Sequence, residues 1–387
     1  MTAVLLTSCA LVPASSASGA PVPGGRRPSV GVVKAILRNP SVSLGFGASV
    51  AVSGTTAVVD DAVFTRHDHT WPATPTVVLD ESGELSMSDS TIVVGSSQAG
   101  ASDQGEAYLY GRERAGWPTT PTAVLDDPGA TAGDGFGTTA AISGSTLVIG
   151  TLPAPGPSHG GEVYVYVRDN GGWSTTPTAV LTPPPGDRFR AALAVSGHTA
   201  IVGGFDASTN ANVAFLYTGG GGGWPATPTA VLDDPTADPT DCYGEAVAVS
   251  GRTAVVGDWC TSSGRAYIYD EGRTRWPALP DTTLGPGHRF SAGPKEFGLA
   301  LSISAGTLVV GAPGTELDTG ETYIFQKTSA DAWPTVPTTT VTDPAGSRGD
   351  RMGVSLAVAG PLAIAGAPGT KQRHHPNVSG VAYLLGT

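Results

Sequence analysis

Apolar and polar positions alternate along this chain in short runs, and the runs recur in a fixed order. Residues 133–150 and 296–313 are the clearest copies. In each, side chains alternate at period two on both sides of a short Ser-Gly or Ala-Gly turn, the signature of a tight β-hairpin. A third apolar run follows, as at 162–167, rich in β-branched and aromatic residues. A turn, a tryptophan and a fourth run (178–181) close the unit before the Pro-rich turn at 183–186. One repeat is therefore predicted to be four short antiparallel strands, and no window shows a helical period.

The first arm of the hairpin carries small side chains, as at 192–195, 246–249 and 354–358. Small residues suit strands crowded around a common axis, which points to a β-propeller of four-stranded blades. First arms begin near Phe46, Phe136, Phe189, Tyr243, Phe297 and Met352, and an altered copy at 86–95 makes seven. Trp71, Trp117, Trp173, Trp224, Trp276 and Trp333 follow six of them, 46 to 57 residues apart, a blade-sized period. The last copy ends on its third strand at 381–385, whereas 33–40 reads like a fourth strand placed ahead of the first hairpin. Residues 31–39 are thus expected to complete the last blade and hide a sheet edge. Length alone would suggest two domains. The repeats argue instead for one all-β domain over 31–387, a seven-bladed propeller closed by its N-terminal strand.

Phe-Gly near the start of the hairpin, with Gly311-Ala-Pro313 or Gly366-Ala-Pro368 at its end, resembles the FG-GAP repeats of integrin α-subunit propellers. The bacterial secreted version, with a Gly-Asp-x-Phe-Gly start, an Ala-Val-Ser-Gly turn and a Tyr-x-Tyr strand before the Trp, is closer still. The resemblance covers nearly all of 31–387 and implies an exported binding or adhesion module. Integrin-type repeats often carry a Ca²⁺ loop in the hairpin turn, which needs several converging oxygen ligands. Here the turns begin at Ser53, Ser143, Ser196 and Ser250 and hold no carboxylate. No metal and no cofactor is expected.

With 33 acidic and 21 basic residues the formal charge is −12, which argues against nucleic acid as a partner. Residues 1–25 are apolar, then rich in small side chains, like a secretion signal without a basic start. Leu6 to Cys9 also fits a lipobox, which would put a lipid on Cys9. The alternative is a disordered leader. No later segment is long and apolar enough to span a membrane, and the chain is expected to be a secreted or surface-attached monomer. Cys242 and Cys260 flank one hairpin and face each other across it, so a disulfide is geometrically credible. Two free thiols are the other reading.

No nucleophile elbow, zinc-protease helix motif or phosphate loop occurs. His67-Asp68-His69 and His374-His375 read as exposed turns, the recurring tryptophans as packing, and Arg348-Gly349-Asp350 as a by-product of the repeat's own Gly-Asp. The variable loops joining strand four to strand one, and strand two to strand three, share one face and are the usual place for binding on a rigid scaffold. Their candidate ligand contacts are Asp60, Asp61, Asp127, Asp134, Asp187, Asp234, Asp241 and Asp350. The competing reading makes these turn formers. Copies one and two are eroded on this face. The second lacks Phe-Gly and the start of its inner strand, so a notch in the rim is expected there. The function expected is non-catalytic recognition of an extracellular protein or a cell-surface glycan. A lectin with sugar pockets between blades, and a propeller hydrolase, stay open as alternatives.

Overall fold

The recurring alternation folds into seven four-stranded antiparallel sheets. The computed structural model describes residues 33–38, 45–100, 103–129, 133–151, 160–169, 172–261, 263–273, 275–286, 295–344, 346–372 and 375–387, the side chains of 372–379 excepted. The leader with Cys9 and His374 lie outside the described residues, as does the side chain of His375. The first strands are Val50–Ser53, Glu84–Ser88, Thr139–Ser143, Arg188–Ser196, Ala246–Ser250, Leu301–Ser304 and Leu356–Ala359. Each contacts the first strand of the next blade, and the seventh contacts the first, so the ring closes. Val33–Arg38 pairs antiparallel with His375–Gly386, with Ile36 opposite Tyr383. The N-terminal strand is thus the outer strand of blade 7.

Second and third strands are buried on both faces, as in Thr253–Asp258. The apolar core is accordingly layered between neighbouring blades rather than gathered at one centre. Ile201 and Leu216 of blade 4, for instance, pack with Val256 and Tyr269 of blade 5. The repeating tryptophans belong to this scaffold. Trp117, Trp276 and Trp333 are buried, and Arg66, Arg112, Arg168 and Lys327 lie 5.3 to 5.8 Å over Trp71, Trp117, Trp173 and Trp333.

The Phe-Gly pair makes the joint. Phe136 is fully buried, and its N–H donates to the carbonyl of Gln104 in the preceding blade at 2.9 Å. Gly137 follows at φ +85°, and a Cβ on Gly95 of the preceding blade would sit 2.1 Å from its carbonyl oxygen. The same glycine-on-glycine approach recurs between Gly203 and Gly244, Gly257 and Gly298, Gly311 and Gly353, and Gly366 and Gly47. It is missing between blades 1 and 2, and between blades 3 and 4, where Arg190 follows Phe189.

At the other end of the blades, the turn serines link one blade to the next. The Oγ of Ser53, Ser88, Ser143, Ser196, Ser250 and Ser304 accepts from the N–H of Asp89, Gly144, Gly197, Gly251, Ala305 and Gly360 respectively, at 2.9 to 3.2 Å. Each acceptor sits at the same place in its hairpin as the next. Blade 7 ends its first strand on Ala359, which has no hydroxyl to offer blade 1.

Blade 2 departs from expectation. Its first strand begins at Glu84 and pairs in full with Thr91–Ser96, so Phe-Gly is lost but the inner strand is not shortened. Blade 1 turns from its second to its third strand through Asp60 and Asp61, and the connection entering blade 2 is 79–83. The loop-rich rim therefore carries little chain where blade 1 passes into blade 2. No helix among the described residues is long and apolar enough to cross a membrane.

Four substitutions, one of them a control, test the joints by chemical denaturation. Gly257→Ala drives a methyl group to 2.1 Å from a backbone oxygen and should cost on the order of 2 kcal/mol. The control Gly111→Ala, whose nearest neighbour is 3.4 Å away, should not. Ser196→Ala should lower stability by about 1 kcal/mol, and Ala359→Ser should raise it by about as much by supplying the missing link.

Candidate functional site

In blade 5 the connection entering the first strand and the one leaving the second meet at the loop-rich face. Cys242 lies on the former and Cys260 on the latter; their sulfurs are bonded and their Cα atoms are 5.3 Å apart. Between the two strands' ends sits Trp259, the one tryptophan of seven that is not part of the repeat. Its ring is half-buried, and its Nε1–H donates to Glu245 Oε2 at 3.1 Å. The other oxygen of Glu245 accepts from Arg190 Nη1 at 2.8 Å. Arg190 Nη2 donates to Asn212 Oδ1 at 2.6 Å, and the fully buried Asn212 donates from Nδ2 to Asp241 at 3.0 Å. A continuous polar chain thus runs from an exposed aromatic edge into the joint between blades 4 and 5. Arg190 stands where most copies have the Phe-Gly glycine, at the joint between blades 3 and 4, and its guanidinium reaches forward to blade 5.

Behind the chain lie three buried aspartates. Asp241 accepts from Asn212, from the Tyr243 N–H and from Thr236. Asp234 accepts from Thr236 and from the Asp238 N–H. Asp258 is fully buried; one of its oxygens accepts from the Cys242 N–H at 3.3 Å, and the other has no hydrogen-bond partner. Burial, and next the nearby Asp241, push the Asp258 carboxyl up to about 6. Burial also raises Asp234, against the hydrogen bonds from Thr236.

The remaining candidate aspartates are divided among separate joints and do not converge on one site. The half-buried Asp60 binds the N–H groups of Gly47 and Ser49 at 2.8 and 3.0 Å, and burial raises both it and Asp61. Asp127 is buried and accepts from Gly129 N–H at 2.9 Å, while Asp134 is half-buried. Asp187 accepts from the Ala207 N–H at 2.9 Å. Asp350 is 1% exposed and accepts from the Ser347 N–H, so the Arg-Gly-Asp tripeptide turns its carboxylate inward. Among the described residues no three or more His, Cys, Asp or Glu side chains are placed to hold a metal ion. His67 and His69 lie in an exposed turn.

Trp259, Glu245, Arg190, Asn212 and Asp258 were not singled out by sequence reasoning. The available signal was negative: a tryptophan outside the repeating position, and an arginine in a glycine's place.

Residues 120–166, from the fourth strand of blade 2 through the third strand of blade 3, match the FG-GAP repeat family model. An FG-GAP repeat set in a seven-bladed ring is the arrangement of an integrin-like FG-GAP propeller. No curated protein matches the chain.

The titration of Asp258 gives a test. Its folded pKa is raised from 3.8 to about 6, so the folded state holds this proton more tightly than the unfolded state. The stabilisation is complete below the unfolded pKa and is lost as pH rises through the folded one. The melting temperature should fall between pH 5 and pH 7.5, and Asp258→Asn should flatten that fall. A second expectation concerns the disulfide. Replacing Cys242 and Cys260 by Ser opens a loop of 18 residues, which should cost about 3 kcal/mol in guanidinium unfolding.

Proposed function

We propose that this chain is a secreted or surface-attached, non-catalytic binding module of the adhesion kind. It recognises an extracellular protein or a cell-surface glycan through its loop-rich face. The observation that carries this reading is Trp259. It is half-buried, hydrogen-bonded to Glu245, and flanked by the Cys242–Cys260 bond on a rigid blade. Tryptophan and arginine are the side chains most often found at the energetic centre of protein interfaces. A tryptophan held in one orientation loses little freedom on binding. The partly engaged Arg190 and Glu245 beside it supply both signs of charge.

The glycan reading has its own support at the seam where the ring closes. A cavity of about 380 Å³ lies there, lined by Lys34, Arg66, His69 and Trp71. It opens between blades 7 and 1, where the chain ends leave no connection from third to fourth strand. An aromatic face with cationic side chains suits an acidic sugar.

The test is a panel of surface proteins and a glycan array, probed with the purified chain in EDTA. Trp259→Ala should weaken protein binding at least about tenfold, the loss expected of a hot-spot residue, with melting unchanged. Glycan binding that survives EDTA, is lost in Lys34→Ala and is kept in Trp259→Ala would move the function to the seam.

A further inference from the structure

Register sets one joint apart, the seam where the ring closes. The second strand begins with Thr56, Thr91, Thr146, Thr199, Thr253 and Thr307 in blades 1 to 6, and with Leu362 in blade 7. Opposite it on the third strand stand Thr65, Gly111, Val167, Thr218, Asp270 and Gln326, and in blade 7 Gly386. At two joints these positions answer the cation that the next blade places over its tryptophan. Arg168 of blade 3 donates from Nη1 to Thr91 Oγ1 at 3.5 Å, and Lys327 of blade 6 lies 3.6 Å from Asp270. Their counterpart at the seam is Arg66 of blade 1, which shares a cavity with Leu362 and Gly386, and neither offers a side-chain acceptor. Among the described residues the half-buried Arg66 guanidinium has no hydrogen-bond acceptor; its contact is the Trp71 ring, 5.7 Å away. The glycine also makes room for a second cation. A Cβ on Gly386 would sit 2.5 Å from Lys34 Cε and 3.3 Å from its Nζ. Lys34 belongs to the outer strand of blade 7, so the two cations reach one cavity of about 380 Å³ from opposite blades. No carboxylate side chain lines it, in a chain of formal charge −12; Asp68, in the same turn as Arg66, is exposed.

We infer that the seam is a site for one hexuronate sugar, its carboxylate between Arg66 and Lys34 and its ring over Leu362 and Pro361. This rests on the glycan reading proposed above, which left the sugar and its contacts open. A guanidinium presents a planar fork that holds a carboxylate through two parallel N–H···O bonds, a stronger acceptor than the threonine hydroxyl found at other joints. The volume lies at the lower end of the roughly 300–1,000 Å³ typical of small-molecule sites, which suits a single ring. The seam also lacks the serine link, because Ala359 ends the first strand of blade 7. A carboxylate held by both blades would supply across this joint the bridge that hydroxyls supply elsewhere.

The probe is glucuronate, with glucose as the neutral sugar and sulfate as an anion without a ring. Each is titrated into the full chain by isothermal titration calorimetry at matched ionic strength. The wild-type chain should bind glucuronate, and glucose and sulfate at least about tenfold more weakly, the scale of one lost charged hydrogen bond. Arg66→Gln and Lys34→Gln should each weaken glucuronate by at least about tenfold on the same grounds. Lys34 is exposed, so Lys34→Gln should melt as the wild type does, which keeps the test decisive even where Arg66→Gln loosens its blade. Glucose or sulfate bound as tightly as glucuronate would overturn the inference. So would equal glucuronate affinity in wild type and Lys34→Gln, or no binding by a wild-type chain with its normal melting temperature. A glycan array that responds equally to wild type and Lys34→Gln would remove the seam site and leave a glycan function elsewhere on the molecule. An array without a response, together with no glucuronate binding, would end both.

Discussion

Everything in this molecule depends on bringing seven inner strands close enough around one axis to close a ring. Two contacts enforce that approach at opposite ends of the blades. At the loop-rich end, a glycine at the end of one blade's second strand lies against the Phe-Gly glycine of the next, too close for any side chain. At the hairpin end, a serine hydroxyl reaches across to the next blade's turn. Neither contact is strong. A serine bond contributes about 1 kcal/mol net, and glycine contributes by absence. Their repetition around a closed ring makes them decisive, because each blade is positioned from both sides. The apolar layers between blades can then pack at native density.

That constraint also explains where unusual chemistry appears. Two joints lack the glycine contact, and each holds a charged side chain that the repeat does not specify. Between blades 1 and 2, Glu84 turns toward the axis. Between blades 3 and 4, the glycine's place is taken by Arg190, which reaches forward to Glu245 of blade 5. A position released from the demand for glycine can carry a long side chain, and the neighbouring joints hold the ring while it does so. Irregular copies are therefore the places where this scaffold accepts charged side chains outside its repeat.

Much of the architecture was legible in the sequence. Period-two alternation marked the strands, small residues marked the inner arm, and residues 33–38 matched a fourth strand well enough to predict ring closure. What stayed hidden depended on residues distant in sequence. Ser143 reads as a turn former, and the same residue that makes the turn also accepts from Gly197. Turn chemistry and joint chemistry cannot be told apart until the blades are placed side by side. Trp259 becomes informative when Glu245 and Arg190 are brought to it, the latter pair 55 positions apart. Asp258 ends an ordinary-looking strand, and its burial is set by the loop at 234–241. The candidate aspartates sit in loops whose sequence marks them as turns, and their oxygens mostly serve those same loops, as Asp234 does for Thr236 and Asp238.

The two ends of the propeller are consequently held by different kinds of acceptor. At the hairpin end the acceptors are neutral hydroxyls, and of their turns blade 2's alone carries a carboxylate, Asp89. Their hydrogen bonds do not change charge with pH. At the loop end the acceptors are carboxylates in low-dielectric surroundings, where ionisation costs free energy. Burial raises Asp60, Asp234, Asp258 and Asp350 together, so these carboxyls hold their protons more tightly than exposed ones. The loop face is thus where burial shifts carboxyl titration upward. Coupling between binding and these buried carboxyls would enter through that face.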